Sequence, residues 1–175
     1  MRGFVRALLV CSSLCLPIWA TPQNNSRPAA SPALKAYQAK QTSLQRRGAK
    51  ALSAEYAREK APSCENATDS NSKTSCVGTE FQITDRNYEA YAKAIAELLR
   101  LRDPEDPDSA MYPDRGKEFD RSERLWIQYR EVQCQTFGDG FYGGSIQPLE
   151  ILGCKQDLTR SHMRELANLY KDLFD

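Results

Sequence analysis

The chain has 175 residues, 24 Lys/Arg against 23 Asp/Glu, one histidine and six cysteines. The near-neutral total hides an asymmetry: residues 21–75 carry a net of +5 and residues 76–175 a net of −6. The acidic half argues against a nucleic-acid binder and is compatible with a basic protein partner, while the basic part suits contact with anionic envelope polymers.

At the N-terminus, Arg2 and Arg6 precede an apolar run over residues 7–20, and Thr21 opens a polar stretch. This is the pattern of a secretory signal peptide, with cleavage expected after Ala20. The run is too short to span a bilayer of about 30 Å comfortably, and no later segment approaches the length needed, so no transmembrane segment is expected after cleavage. Cys11 and Cys15 lack the small-residue setting of a lipoprotein site, so a lipid anchor is not expected. Export predicts a periplasmic or secreted protein.

Cleavage leaves Cys64, Cys76, Cys134 and Cys154. An even count in an oxidising compartment reads as two disulfides. Metal ligation would need closer pairs such as CxxC, which the spacings do not supply. Of three possible pairings, Cys64–Cys76 with Cys134–Cys154 is favoured because each closes a short loop, stabilising by roughly 3 kcal/mol apiece in the chain-entropy model.

Residues 21–32 read as a polar, Pro- and Ala-rich linker. Residues 34–60 favour a helix with Leu34, Tyr37, Leu44, Ala51, Leu52 and Tyr56 on one stripe, interrupted by Gln41 and Gly48. So thin a stripe predicts weak docking or none. Residues 21–61 are therefore set apart, as linker and weak basic helix, from a domain over 62–175. Residues 61–79 are expected to be irregular and pinned by a bridge.

Three stronger helices follow. Phe81, Thr84, Tyr88, Tyr91, Ala92, Ile95, Leu98 and Leu99 mark the first, which Pro104 and Pro107 stop. An acidic, Pro-rich connection runs to about Lys117; it lacks the residue order of a calcium loop. The second helix carries Phe119, Leu125, Trp126, Tyr129, Val132 and Cys134, and the glycine-rich stretch 137–145 ends it. A short irregular or helical passage leads to Cys154. The last helix carries Leu158, His162, Leu166, Leu169, Tyr170 and Leu173. No run alternates at period two. The expected fold is all-α: a small bundle of three main helices stapled by two disulfides, with an extra N-terminal helical segment.

No catalytic signature is present: no GxSxG, phosphate loop or HExxH, and nothing calls for a cofactor or metal. Glu123 with Glu131 or Asp139 is the best acid–base pair available, but surface acids of this kind are common, and the chain reads as a non-enzyme. His162 reads as a packed, hydrogen-bonded histidine. Trp126 and Tyr129, one turn apart, are assigned to the core, and Arg130 with Glu131 to a charge pair against the glycine loop. In that loop Gly138, Gly140, Gly143 and Gly144 permit unusual backbone angles, with Phe141 and Tyr142 at the tip. Phe141, Tyr142, Gly143, Gly144 and Ser145 are the candidate partner-binding residues, since an aromatic on a constrained loop offers contact area at low entropic cost. The alternative is that the aromatics fold back as a lid over the core.

The order Phe119, Ser122, Glu123, Trp126, Tyr129, Arg130, Glu131, Cys134, then Gly143-Gly144-Ser145, then Cys154, Leu158, Thr159 and Leu166 resembles the lysozyme inhibitor LprI-like family. Cys64, Cys76 and the helix bearing Asp85 look like that family's opening, so the resemblance covers about residues 64–173. It implies a periplasmic, non-enzymatic helical domain that binds a lysozyme-type glycosidase, with Trp126, Tyr129, Arg130, Glu131 and Thr159 as structural motif residues. His162 stands where the family usually has arginine, Val77-Gly78 replaces a small alanine, and the acidic loop around Pro107 is long. The rival expectation is a non-inhibitory envelope adaptor whose basic stretch 34–60 touches peptidoglycan or another protein.

Overall fold

The computed structural model describes residues 30–61, 63–111 and 114–175, so the expected signal peptide (1–20) and nearly all of the linker lie outside the described residues. The described residues form four long helices: α1 (Pro32–Glu59), α2 (Ser70–Arg100), α3 (Arg115–Asp139) and α4 (Gln147–Leu169). Short 3-10 turns cover Pro107–Ala110 and Lys171–Leu173, and there is no strand among the described residues. Three starts are fixed by side-chain caps. Ser31 Oγ accepts from the Leu34 N–H at 3.1 Å, Asp69 Oδ1 from Ser72 at 2.9 Å and Asp114 Oδ1 from Lys117 at 3.2 Å. Each satisfies a donor that the helix itself leaves unpaired.

The central element is α2, which packs against α1, α3 and α4, while α3 packs also on α4. Its inward residues Tyr88, Tyr91, Ala92, Ile95 and Leu99 meet Ala51 of α1, Phe119 of α3, and Met163 and Leu166 of α4 in one core. The two disulfides are Cys64–Cys76 and Cys134–Cys154, with Cα separations of 5.8 and 5.5 Å. The all-α, doubly stapled fold and the favoured pairing are thus as expected.

Four details differ from the sequence reading. Weak docking of the N-terminal helix is overturned: Leu44 is 1% exposed, and Gly48, Ala51 and Glu55 are buried on the same face. Gly48, which reads in the sequence as an interruption of the stripe, is the point of closest approach. A Cβ there would lie 2.4 Å from Phe174 Cε1 and 3.1 Å from the Ala94 Cβ, so only glycine lets α1 sit this close. Second, the expected irregular segment 61–79 is helical from Ser70 onward, because Asp69 caps a turn that Cys76 then ties to Cys64. Third, α3 runs on to Asp139, past the start of the glycine-rich stretch, while the passage before Cys154 takes the helical of its two expected forms and belongs to α4. Fourth, Tyr129 is not in the core. It is 54% exposed, with Leu125 at 58% and Val132 at 67%, so α3 turns an apolar stripe outward.

Candidate functional site

At one end of the bundle the chain turns from α3 into α4 through residues 140–146. Consecutive backbone bonds hold this turn: Phe141 N–H to the Gly138 carbonyl at 2.9 Å, Gly144 N–H to Phe141 at 3.0 Å and Gln147 N–H to Gly144 at 3.2 Å. Gly143 has φ +76°, a left-handed angle that suits glycine and lets the chain reverse immediately after Tyr142. Below the turn Cys134–Cys154 clamps α3 to α4, and Ser70 Oγ donates to the Ser145 carbonyl at 3.2 Å, tying in the first residue of α2. That end of α2 is itself held by Cys64–Cys76. The loop is short and fastened on three sides.

All five candidate binding residues, Phe141, Tyr142, Gly143, Gly144 and Ser145, are exposed together on this loop. Tyr142 is 87% exposed. Phe141 meets Phe137 edge-on at 5.6 Å between centroids, and Phe137 is itself exposed, so these rings form a surface pair and not a lid over the core. The α3 stripe of Leu125, Tyr129 and Val132 leads along the helix toward them.

Beneath lies a polar cluster that holds α2, α3 and α4 in register. Arg130 is nearly fully buried. Its Nη1 donates to Asp85 Oδ1 on α2 at 2.6 Å and to Thr159 Oγ1 on α4 at 2.9 Å, and its Nε and Nη2 reach Glu131 Oε1. The Arg130–Glu131 pair therefore exists, but it locks helices together and does not face the glycine loop. Its guanidinium also lies 5.2 Å from the Phe81 ring centroid and 5.3 Å from that of Trp126. Glu131 is paired with Lys155 of α4 as well. Burial pushes the Glu131 carboxyl up, but the bond and charge of Lys155 and the charge of Arg130 outweigh it and hold the group below the usual range.

Trp126 stacks on His162 at 4.0 Å and 9° between planes, with Tyr88 5.1 Å away on α2. The histidine Nε2 lies 3.0 Å from Glu123 Oε2, and the Tyr88 hydroxyl donates to the same oxygen at 2.9 Å. Burial, then the Glu123 charge, pushes the Tyr88 phenol far above its ordinary range, so it acts as a fixed donor. His162 is thus the packed histidine expected. Glu123 is bound within this cluster, while Glu131 and Asp139 lie about 12 and 24 Å farther along the same helix at 1.5 Å per residue. The three do not converge as an acid–base pair.

The structure brings Trp126, Arg130 and Thr159 together, with Glu131 at the rim, and sends Tyr129 away from them. Sequence reading placed Thr84 on the inward face of its helix but missed Gln156, Arg160 and Glu55, which form with it a second buried network joining α1 to α2 and α4. An acid in line with Leu44 and Ala51 on the α1 stripe was the signal that could have found Glu55.

The family model for lysozyme inhibitor LprI matches residues 64–166, from the first cysteine through the α4 core residue Leu166. An uncharacterized protein of Rhizobium meliloti (strain 1021) is 27% identical over 114 residues, covering 65% of this chain and 82% of that protein. No solved structure matches. With the match taking in both disulfides, the Arg130 cluster and the glycine loop, the chain belongs to the lysozyme inhibitor LprI family.

Proposed function

We propose that this protein is an exported, non-enzymatic inhibitor of a lysozyme-type glycosidase, acting in the periplasm or after secretion. Membership of an inhibitor family is the general support. The observation that carries the reading is Tyr142, an aromatic left 87% exposed on a loop fastened by a disulfide and a left-handed glycine. A pre-ordered loop loses little entropy on entering a cleft, and a rigid aromatic is a common anchor in protein interfaces. The acidic balance of residues 76–175 suits a basic enzyme. Two disulfides fit an oxidising compartment, and among the described residues no helix is long and apolar enough to cross a membrane.

The loop is too small to form the whole contact. A stable protein interface takes about 800 Å² and 20–30 residues from each side. The outward stripe of α3 supplies the continuation: Leu125, Tyr129 and Val132 extend the aromatic surface along the helix. Trp126, Arg130 and Thr159 then serve by holding that helix in place.

The test is lysis of cell walls by c-, g- and i-type lysozymes with and without the oxidised protein. Inhibition of at least one is expected, and Tyr142→Ala should weaken it by about thirtyfold while the melting temperature moves by no more than a few degrees. No inhibition of any type at high protein excess removes the reading. Early unfolding of Tyr142→Ala would assign the ring to the fold and not to a partner.

A further inference from the structure

The outer surface of α1 is built differently from the rest of the molecule. Its inward face is used up by Leu44, Gly48, Ala51 and Glu55. Both of its carboxylates are engaged: Glu55 is buried against Arg160, and Glu59 pairs with Arg164 at 2.7 Å. Arg47 and Arg58 are paired too, with Glu97 and Glu80. Five basic residues remain exposed with no ion-pair partner among the described residues: Lys40, about 40° around the axis from Leu44, and a group of four, Lys35, Arg46, Lys50 and Lys60. At 100° per residue these four fall within an arc of about 80° directly opposite Leu44. Along the axis they span about 38 Å. Between them lie Ala39, Thr42, Ser53 and Ala57, all exposed, small and uncharged, with no large apolar side chain.

We infer that this outward face of α1 docks the protein on the headgroups of an anionic phospholipid bilayer. The occupant follows from shape and charge. Cations spread over about 38 Å are too far apart for one compact ligand to meet, whereas a plane of negative charge meets all of them at once. With no large apolar side chain to insert, attraction is electrostatic alone and must fade with salt. The remainder of the chain reinforces the orientation. Residues 76–175 carry a net of −6, so the same surface that attracts α1 repels the other helices. Because α1 and α3 both pack on α2 and share no substantial contact, the exposed stripe of α3 stays uncovered when α1 is docked. Toward its start, α1 lies near an acidic turn, with Ser31 Oγ donating to Glu105 Oε1 and the charges of Asp103 and Asp106 near Tyr37. The active part of the strip is therefore Arg46, Lys50 and Lys60. This inference rests on the packing of α1 and stands apart from any lysozyme.

The experiment is co-sedimentation of the oxidised protein with phosphatidylcholine vesicles, with and without added phosphatidylglycerol, across a salt series. Binding is expected only to the anionic vesicles, and it should vanish near 1 M salt, where screening acts within about 3 Å. The triple variant Arg46→Gln, Lys50→Gln, Lys60→Gln should lose roughly a hundredfold in partitioning, since each cation near the surface contributes about fivefold. Its circular dichroism and melting should match the parent because all three side chains are exposed. Neutralising Arg121 and Arg124 on α3 instead should change partitioning less than twofold. Equal binding to neutral vesicles, no binding to anionic ones, or an unaffected triple variant would each overturn the inference. So would tighter capture by soluble polyphosphate than by vesicles at equal phosphate, which would name a polymer as the occupant.

Discussion

Helices α1 and α3 flank α2, and each departs from the usual apolar-in, polar-out arrangement in its own way. α1 buries a leucine, an alanine, a glycine and a carboxylate, and turns small, polar and cationic residues outward. α3 buries Glu123 and Arg130 beside Phe119 and Cys134, and leaves Leu125, Tyr129 and Val132 in solvent. Neither docking depends on a broad apolar stripe. Each uses close approach at a glycine, Gly48 on α1 and, on α3, Gly138 against Ile151, together with a buried charge bonded to other helices. The difference lies in what remains outside: a charged surface on one flank, an apolar one on the other, each suited to a different kind of contact.

The largest expected effect tests the α3 side. Arg130→Ala removes the donor that joins Asp85, Thr159 and Glu131, and breaking a buried pair costs about 3–5 kcal/mol. Asp85 and Glu131 are partly solvated, so the lower end, about 3 kcal/mol, is expected in urea unfolding. Arg130→Lys should recover little, because one ammonium cannot reproduce donors aimed at three residues. A loss below about 1 kcal/mol would mean that the cluster is incidental to the docking of α3.

On the α1 side, Leu44→Ala should cost about 3 kcal/mol, since the side chain is fully enclosed. A thinly attached helix would lose almost nothing. Deleting residues 21–61 should therefore lower the melting temperature sharply, although the family match begins only at Cys64.

A smaller effect concerns acid. Burial pushes Glu55 up, but the bonds from Arg160, Asn87 and Thr84 and the charge of Arg160 outweigh it, and the carboxyl lies below its ordinary value of 4.5. The native state then holds fewer protons than the unfolded one. Its contribution is complete above about 4.5 and is lost as pH falls through the folded value. Stability should decline below pH 4.5, and Glu55→Gln should flatten that decline while lowering stability at pH 7. An unchanged acid limb would remove Glu55 as its source.

These two flanks also mark what was legible in the residues. The disulfides followed from loop length, and α2 and α4 from the spacing of their apolar residues. The docking of α1 did not, because it depends on the absence of a side chain at Gly48 and on a carboxylate whose partner Arg160 is 105 residues away. The first turns of α2 are rich in Ser, Asn and Thr, so only the Asp69 cap signalled a start there. Tyr129 was misplaced by treating three residues as a full turn. At 100° per residue it stands about 60° around from Trp126, and about 100° from Arg130, which points inward. The glycine loop was legible as a tight turn, whereas the direction of Tyr142 required the backbone angle at Gly143.

The smallest expected change in stability separates fold from function on α3. Tyr129 and Leu125 are both more than half exposed, so Tyr129→Ser and Leu125→Ser should each shift unfolding by no more than about 0.5 kcal/mol. Serine removes the apolar surface while keeping a small polar group in solvent. If the stripe continues the partner contact that begins at Tyr142, the pair together should weaken inhibition by about tenfold, less than Tyr142→Ala because rim contacts contribute less than a central anchor. The informative comparison is with Ile146→Ser at the loop itself, which is exposed but lies on the other side of Gly143 from the tyrosine. If only loop variants weaken inhibition, the contact ends at the loop. A Tyr129→Ser protein that loses more than about 1 kcal/mol would return the ring to the core, and the contrast between the two flanks would lose its apolar side.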